Sequence, residues 1–293
     1  MPEAPHDFGG DWTTEKLERV AKYLKAYATI MKEKRFPFAY IDAFAGTGYR
    51  ALKRSDEPEQ LVFPELSEAE SQRFLEGSAR KALKVQPRFH KYIFIEKDEQ
   101  RFWALQELRT EFPEVAGDIV LVNAEANSYL QDMCDNRNWK KHRAVLFLDP
   151  YGMEVEWQTI EAIARTQAID LWLLFPLGIA VNRLLKRDGN IDPAIRDALN
   201  RLFGAGDWYE TFYQTTTRVG LFGPETHLHK KGDFDTIAEY MIGRLRTVFP
   251  GVAYNPLSLF NSRNNPLYLL CFAAGNPKGA TTAVKIAQDI LKR

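Results

Sequence analysis

The sequence predicts an α/β fold with a mostly parallel sheet, on three observations. Five short apolar runs alternate with segments of helical period, which calls for parallel strands covered by helices. Four of the five strands end in acidic or polar punctuation, so Asp42, Glu96, Glu125 and Asp149 are expected in a row along one edge of the sheet. The chain then closes on two strands joined by the turn-rich loop 261–266, an antiparallel hairpin.

Residues 1–36 read as an arm followed by a helix. Thr13 or Thr14 can cap it, and Leu17, Val20, Leu24, Tyr27 and Met31 recur on one face until Pro37. The run Phe38 to Ile41 is a buried strand that breaks at Asp42 into Ala43-Phe44-Ala45-Gly46-Thr47-Gly48. In open α/β sheets ligands sit at such carboxyl ends. The loop has two glycines and lacks the third of a dinucleotide fingerprint, so alone it is a weak signal. Residues 49–76 hold few periodic positions and two prolines, the pattern of a long functional loop or lid, or of a disordered excursion. Gly77-Ser78 opens a short helix.

His90 to Glu96 is the second strand, with a helix from Glu99 to Phe112. Asp118 to Val122 is the third, followed by Ala124-Glu125 and a helix from Tyr129 to Cys134. Arg143 to Leu148 is the fourth and ends in Asp149-Pro150-Tyr151-Gly152. After the helix Trp157 to Ala164, Ile169 to Phe175 is the fifth, closed by Pro176. These strands make a core over 37–176. Residues 177–232 form an α-helical insertion in which arginines and lysines interleave with Trp208, Tyr209, Phe212 and Tyr213. That mixture suits phosphate contacts with base stacking, or equally a helical cap with its own small core. Residues 233–293 complete the core with a helix, the hairpin and a closing helix.

The 293 residues carry a formal net charge of +0, so no global field draws the chain to nucleic acid or membrane. No apolar run reaches the roughly 18 residues that span a bilayer, and a cytoplasmic protein is expected. Cys134 and Cys271 stand far apart in apolar stretches and read as buried thiols. His227 and His229 lack a third ligand, so no metal site is expected.

Five parallel strands with a terminal hairpin resemble the Rossmann-like class I S-adenosylmethionine-dependent methyltransferase fold, a seven-stranded sheet whose seventh strand is antiparallel between the fifth and sixth. The resemblance implies S-adenosylmethionine as cofactor. It assigns cofactor contacts to Asp42, Phe44, Ala45, Gly46, Gly48, Glu96, Lys97, Ala124 and Glu125. Asp42 would receive the ligand's ammonium, Glu96 both ribose hydroxyls, and Glu125 or the backbone beside it the adenine amine. Asp149, Pro150 and Tyr151 would be the catalytic segment. Methyltransferases acting on exocyclic amines of bases carry Asp/Asn-Pro-Pro-aromatic here, where the oxygens accept the amine's hydrogens and the ring stacks on the base. The single proline followed by Tyr151-Gly152 is closer to the form in tRNA guanine-N2 methyltransferases.

The runs 40–48, 77–79, 94–96, 147–152, 169–177, 182–185 and 265–273 together resemble the three-Cys-motif partner (TcmP) family over residues 8 to 292. That family is named for a neighbouring protein with three clustered cysteines, similar to an iron–sulfur radical enzyme, so a protein partner is implied, and nucleic acid is a second. Three functions follow in rank: a methyltransferase on an exocyclic amine of a nucleic-acid base, a cofactor- or nucleic-acid-binding subunit of the three-cysteine protein, and a Mg²⁺ hydrolase using the acidic row.

Overall fold

The computed structural model describes residues 11–34, 36–45, 77–220, 223–261 and 263–292. Gly46, Gly48 and the expected loop 49–76 lie outside the described residues, as does the arm 1–10. The first half of the chain runs α1 (Asp11–Lys32), β1 (Phe38–Ala43), α2 (77–83), β2 (Lys91–Glu96), α3 (Glu99–Leu105), α4 (Glu107–Glu111), β3 (Ile119–Asn123), α5 (Ala126–Asn136), β4 (Arg143–Leu148), α6 (Trp157–Arg165) and β5 (Ile169–Phe175). Next come α7 (Pro193–Phe203), α8 (Trp208–Phe212), β6 (Tyr213–Gly220), β7 (Gly223–Lys230), α9 (Phe234–Val248), β8 (Gly251–Val252), β9 (Leu257–Phe260), β10 (Pro266–Ala274) and α10 (Ala280–Leu291).

The main sheet has the order β3-β2-β1-β4-β5-β10-β8, with β9 also pairing β10. Strands β1 to β5 are parallel, and β10 is antiparallel to β5. Two short strands, β8 and β9, share the outer place beside β10, so eight strands fill the seven expected positions. This is the Rossmann-like order of class I methyltransferases, with the antiparallel strand inserted where the terminal hairpin placed it.

Strand register fixes which side chains meet which layer. Asp42, Phe147, Trp172 and Phe272 stand side by side across β1, β4, β5 and β10. All face α1: Tyr23 meets the rings of Trp172 and Phe272 at centroid distances of 5.4 and 4.7 Å. Phe175, of opposite parity on β5, meets Phe203 of α7 on the other side. Helix α1 buries Trp12, Leu17, Val20, Tyr23, Leu24 and Ala28 against this face. Each buried Leu or Val contributes roughly 1.5–3 kcal/mol.

Two expectations need correction. The helix expected from Glu99 to Phe112 breaks at Gln106 into α3 and α4. The insertion is not purely helical, because β6 and β7 form a separate two-stranded hairpin over eight paired positions. Its strands are rich in Thr, Gln and His and lack the apolar alternation that marks a half-buried strand. The insertion's aromatic residues are also settled. Trp208 and Phe212 are fully buried, and Phe212 packs on Phe203 and Tyr240. They pack into the main core, while Tyr209 stays half-buried with Arg196 at 4.5 Å from its ring.

Candidate functional site

The carboxyl ends of β1, β2 and β4 bring together three carboxylates in three different environments. Asp149 follows β4 by one residue and keeps the parity of Phe147, so it turns toward α1. There it meets Lys16, whose Nζ donates to Asp149 Oδ2 at 2.7 Å. Lys16 is 0% exposed and Asp149 3%, so the pair is sealed. The Lys16 ammonium also stands 5.4 Å from the Trp12 ring centroid and 5.7 Å from that of Phe147. Burial pulls the Lys16 pKa down, with the Asp149 carboxylate opposing it. Burial likewise pushes Asp149 up against the pull of Lys16. Asp149 Oδ1 has no hydrogen-bond partner among the described residues.

Asp42 belongs to the same cluster. It is 0% exposed; its Oδ2 accepts from the Tyr40 hydroxyl at 3.0 Å, and its Oδ1 has no hydrogen-bond partner among the described residues. Desolvation, then the Asp149 charge, raises its pKa to about 7, against Ser78, Tyr40 and Lys16. Asp42 therefore faces inward to the α1 layer. The tight turn after it starts before the glycines. Phe44 adopts φ 68°, a left-handed conformation that a bulky side chain rarely takes, and Ala45 N donates to Ile95 O at 3.0 Å.

Glu96 ends β2 and is 1% exposed. Its Oε1 accepts from Asp98 N at 2.7 Å, which fixes the side chain. Its Oε2 has no partner among the described residues, and desolvation raises its pKa. A buried carboxylate with one oxygen anchored and one unpartnered is an acceptor that the hydroxyls of a vicinal diol can satisfy by donating. Beside it, Asn123 Nδ2 ties the Glu96 and Lys97 carbonyls together at 2.9 and 3.0 Å, and Ala124 N donates to Glu96 O. The Lys97 side chain is exposed.

Glu125 has a different role from the one expected of its side chain. It is the N-cap of α5, accepting from Asn127 N and Ser128 N at 3.0 and 2.8 Å and from both side chains. Those bonds pull its pKa down, although burial acts the other way and is the largest influence. Its carboxylate is committed to the helix start, which leaves the backbone around Ala124 for any adenine contact.

Asp149, Pro150 and Tyr151 are all buried. Tyr151 N donates to Glu154 Oε2 at 3.1 Å, and Tyr151 O accepts from the Tyr268 hydroxyl at 3.1 Å. Tyr268 stacks on Trp12 at 5.1 Å, so α1 and β10 jointly hold the catalytic candidate segment. Sequence reading missed Lys16, Ser78 and Tyr268 as parts of the site. For Lys16 a signal existed: it lies four residues from both Trp12 and Val20, inside the apolar stripe of α1. Among the described residues no group of three or more His, Cys, Asp or Glu could hold a metal ion. No described helix is long and apolar enough to cross a membrane.

No protein-family model matches this chain, and no curated protein matches it. Solved structures do. A Legionella pneumophila protein aligns at 14% identity over 83% of this chain and 94% of its own, with a TM-score of 0.39. A Thermotoga maritima spermidine synthase aligns at 12% identity over 91% of this chain and 60% of its own, at 0.39. An S-adenosylmethionine-dependent methyltransferase from Clostridium acetobutylicum aligns at 11% identity over 88% of this chain and 92% of its own, at 0.37. Identity this low carries no substrate with it.

Proposed function

We propose that this protein binds S-adenosylmethionine and transfers its methyl group to an exocyclic amine of a nucleic-acid base. Glu96 carries the reading: a buried carboxylate at the end of β2, anchored through Oε1, with a buried Oε2 that has no partner among the described residues and could accept from a ribose diol. The residues present fit that cofactor at the diol. The cofactor supplies an electrophilic methyl group, and no covalent enzyme intermediate is needed. Asp149 Oδ1 accepts a hydrogen from the amine and orients its lone pair, while Lys16 holds Oδ2 and so fixes the carboxylate plane. The proton freed from the methylated amine would pass to Asp149 Oδ1, which has no partner among the described residues. Tyr268 and Glu154 pin the Tyr151 backbone, keeping the segment rigid. Labelled S-adenosylmethionine should pass tritium into tRNA or DNA, and Asp149→Ala should abolish transfer with cofactor binding intact. Failure of the wild type on both nucleic acids, with and without a three-cysteine protein, removes the transferase reading.

A second reading keeps the cofactor and drops the reaction. Burial of the whole Asp149-Pro150-Tyr151 segment and the capture of Asp149 Oδ2 by Lys16 favour a binding subunit. In it the chain would be a member of the three-Cys-motif partner family and would act beside the three-cysteine protein. Co-purification of the two, with S-adenosylhomocysteine binding and no methyl transfer, distinguishes it.

A further inference from the structure

A cavity of about 290 Å³ opens at the opposite end of the sheet, where β4 and β5 begin. From Arg143 at the start of β4 to Asp149 is six residues, roughly 20 Å of strand. The cavity is therefore separate from the site above and needs nothing of the methyltransferase reading. Its size is at the lower end of what small-molecule sites use. One wall is the last turns of α1, with Tyr27, Ile30 and Met31; the other is α10, with Ala283 and Ile286. Ile30 is 41% exposed, so this apolar wall is open to solvent.

The charged groups on the lining are unequal. Lys34, Arg143 and Lys278 are cationic, and Asp170 is the one carboxylate. Asp170 is already engaged on both oxygens, by the Tyr23 hydroxyl at 2.8 Å and Gly275 N at 3.0 Å. Lys34 and Lys278 are exposed and form no ion pair among the described residues. Arg143 is held in place by the Trp139 and His142 carbonyls and by the Phe36 ring at 4.4 Å, and its charge is partly offset by Asp170, which leaves the lining net positive.

The geometry points to a second ligand site here, for a small amphipathic anion: an apolar body between α1 and α10 and a carboxylate or phosphate at the Lys34–Arg143–Lys278 rim. The apolar walls supply burial, and the rim supplies selectivity for negative charge. The same α1 carries Lys16 at its other end, so a ligand that pins α1 to α10 also steadies the Lys16–Asp149 contact.

Calorimetry with octanoate tests this, with octylamine and octanol as charge controls and inorganic phosphate as a headgroup alone. Octanoate should bind one site per chain, at least tenfold tighter than the amine, the alcohol or phosphate. Lys34→Glu/Lys278→Glu changes two exposed side chains and should weaken octanoate at least tenfold with the melting temperature held. Ala283→Phe fills the cavity and should remove binding. Equal affinity for octylamine, or unchanged octanoate affinity in the folded charge-reversed variant, overturns the proposal. Phosphate binding as tightly as octanoate also overturns it, because the apolar walls would then contribute nothing.

Discussion

Asp149 and Glu96 end strands of the same sheet, are equally buried, and are held in different ways. Asp149 is held by a lysine that crosses from α1, and the pair is closed off from solvent. Glu96 is held by a backbone N–H two residues ahead and, like Asp149, keeps one buried oxygen without a partner among the described residues. Sequence gives both the same punctuation, a hydrophobic strand and then an acid. What separates them is what reaches the carboxylate from outside the strand. A fixed full charge makes one end a structural tie that a reaction can exploit through its second oxygen. Backbone donors hold the other, which suits it to accept from a ligand.

The largest expected effect breaks the first half of this contrast. Lys16→Met leaves a buried carboxylate uncompensated and should cost about 3–5 kcal/mol of stability, read by urea unfolding. Removing both charges in Lys16→Met/Asp149→Leu should recover most of it. A single-variant loss below about 1 kcal/mol would mean that Asp149 is not a charged tie.

The pH dependence follows from Asp42, raised to about 7, and Asp170, raised to about 6 by desolvation. Each binds its proton more tightly folded than unfolded. The folded state therefore holds extra protons above the ordinary carboxylate range, and stability falls as pH rises toward 7. Between pH 5 and 8 Asp42 alone should cost on the order of 2–3 kcal/mol. Asp42→Asn should flatten that slope, and a slope unchanged in this variant would remove Asp42 as its source.

A smaller effect separates Glu125 from the other two acids. Glu125→Ala removes the α5 cap and should cost about 1 kcal/mol, with S-adenosylhomocysteine affinity unchanged. Smallest of all, Glu96→Gln keeps the bond from Asp98 N and should move stability by no more than about 0.5 kcal/mol. A larger loss would place Glu96 with Asp149 as a structural tie.

The sheet was legible because buried parallel strands leave continuous apolar runs, and the terminal hairpin leaves Asn261 to Pro266 as its turn. The acidic edge was legible as residue types only. Glu125 looked like a site residue because a capping acid and a ligand-binding acid both stand just past a strand; the bonds to Asn127 and Ser128 decide it. Lys16 stayed hidden because a charge inside an apolar stripe normally marks the stripe's edge, and only Asp149, 133 residues away, explains its burial. The β6–β7 hairpin stayed hidden because it rests on main-chain pairing and the β-branched Thr215, Thr216 and Thr217, with no buried face to impose a period.

The proposed cofactor binding depends on Glu96 as its acceptor. Calorimetric titration of S-adenosylhomocysteine into the wild type and into Glu96→Gln tests it most directly. The wild type should bind one ligand per chain, and the variant should bind roughly 10–100-fold more weakly, as loss of a hydrogen bond to a charged group implies. No binding by the wild type, or equal affinity in the two, would contradict it.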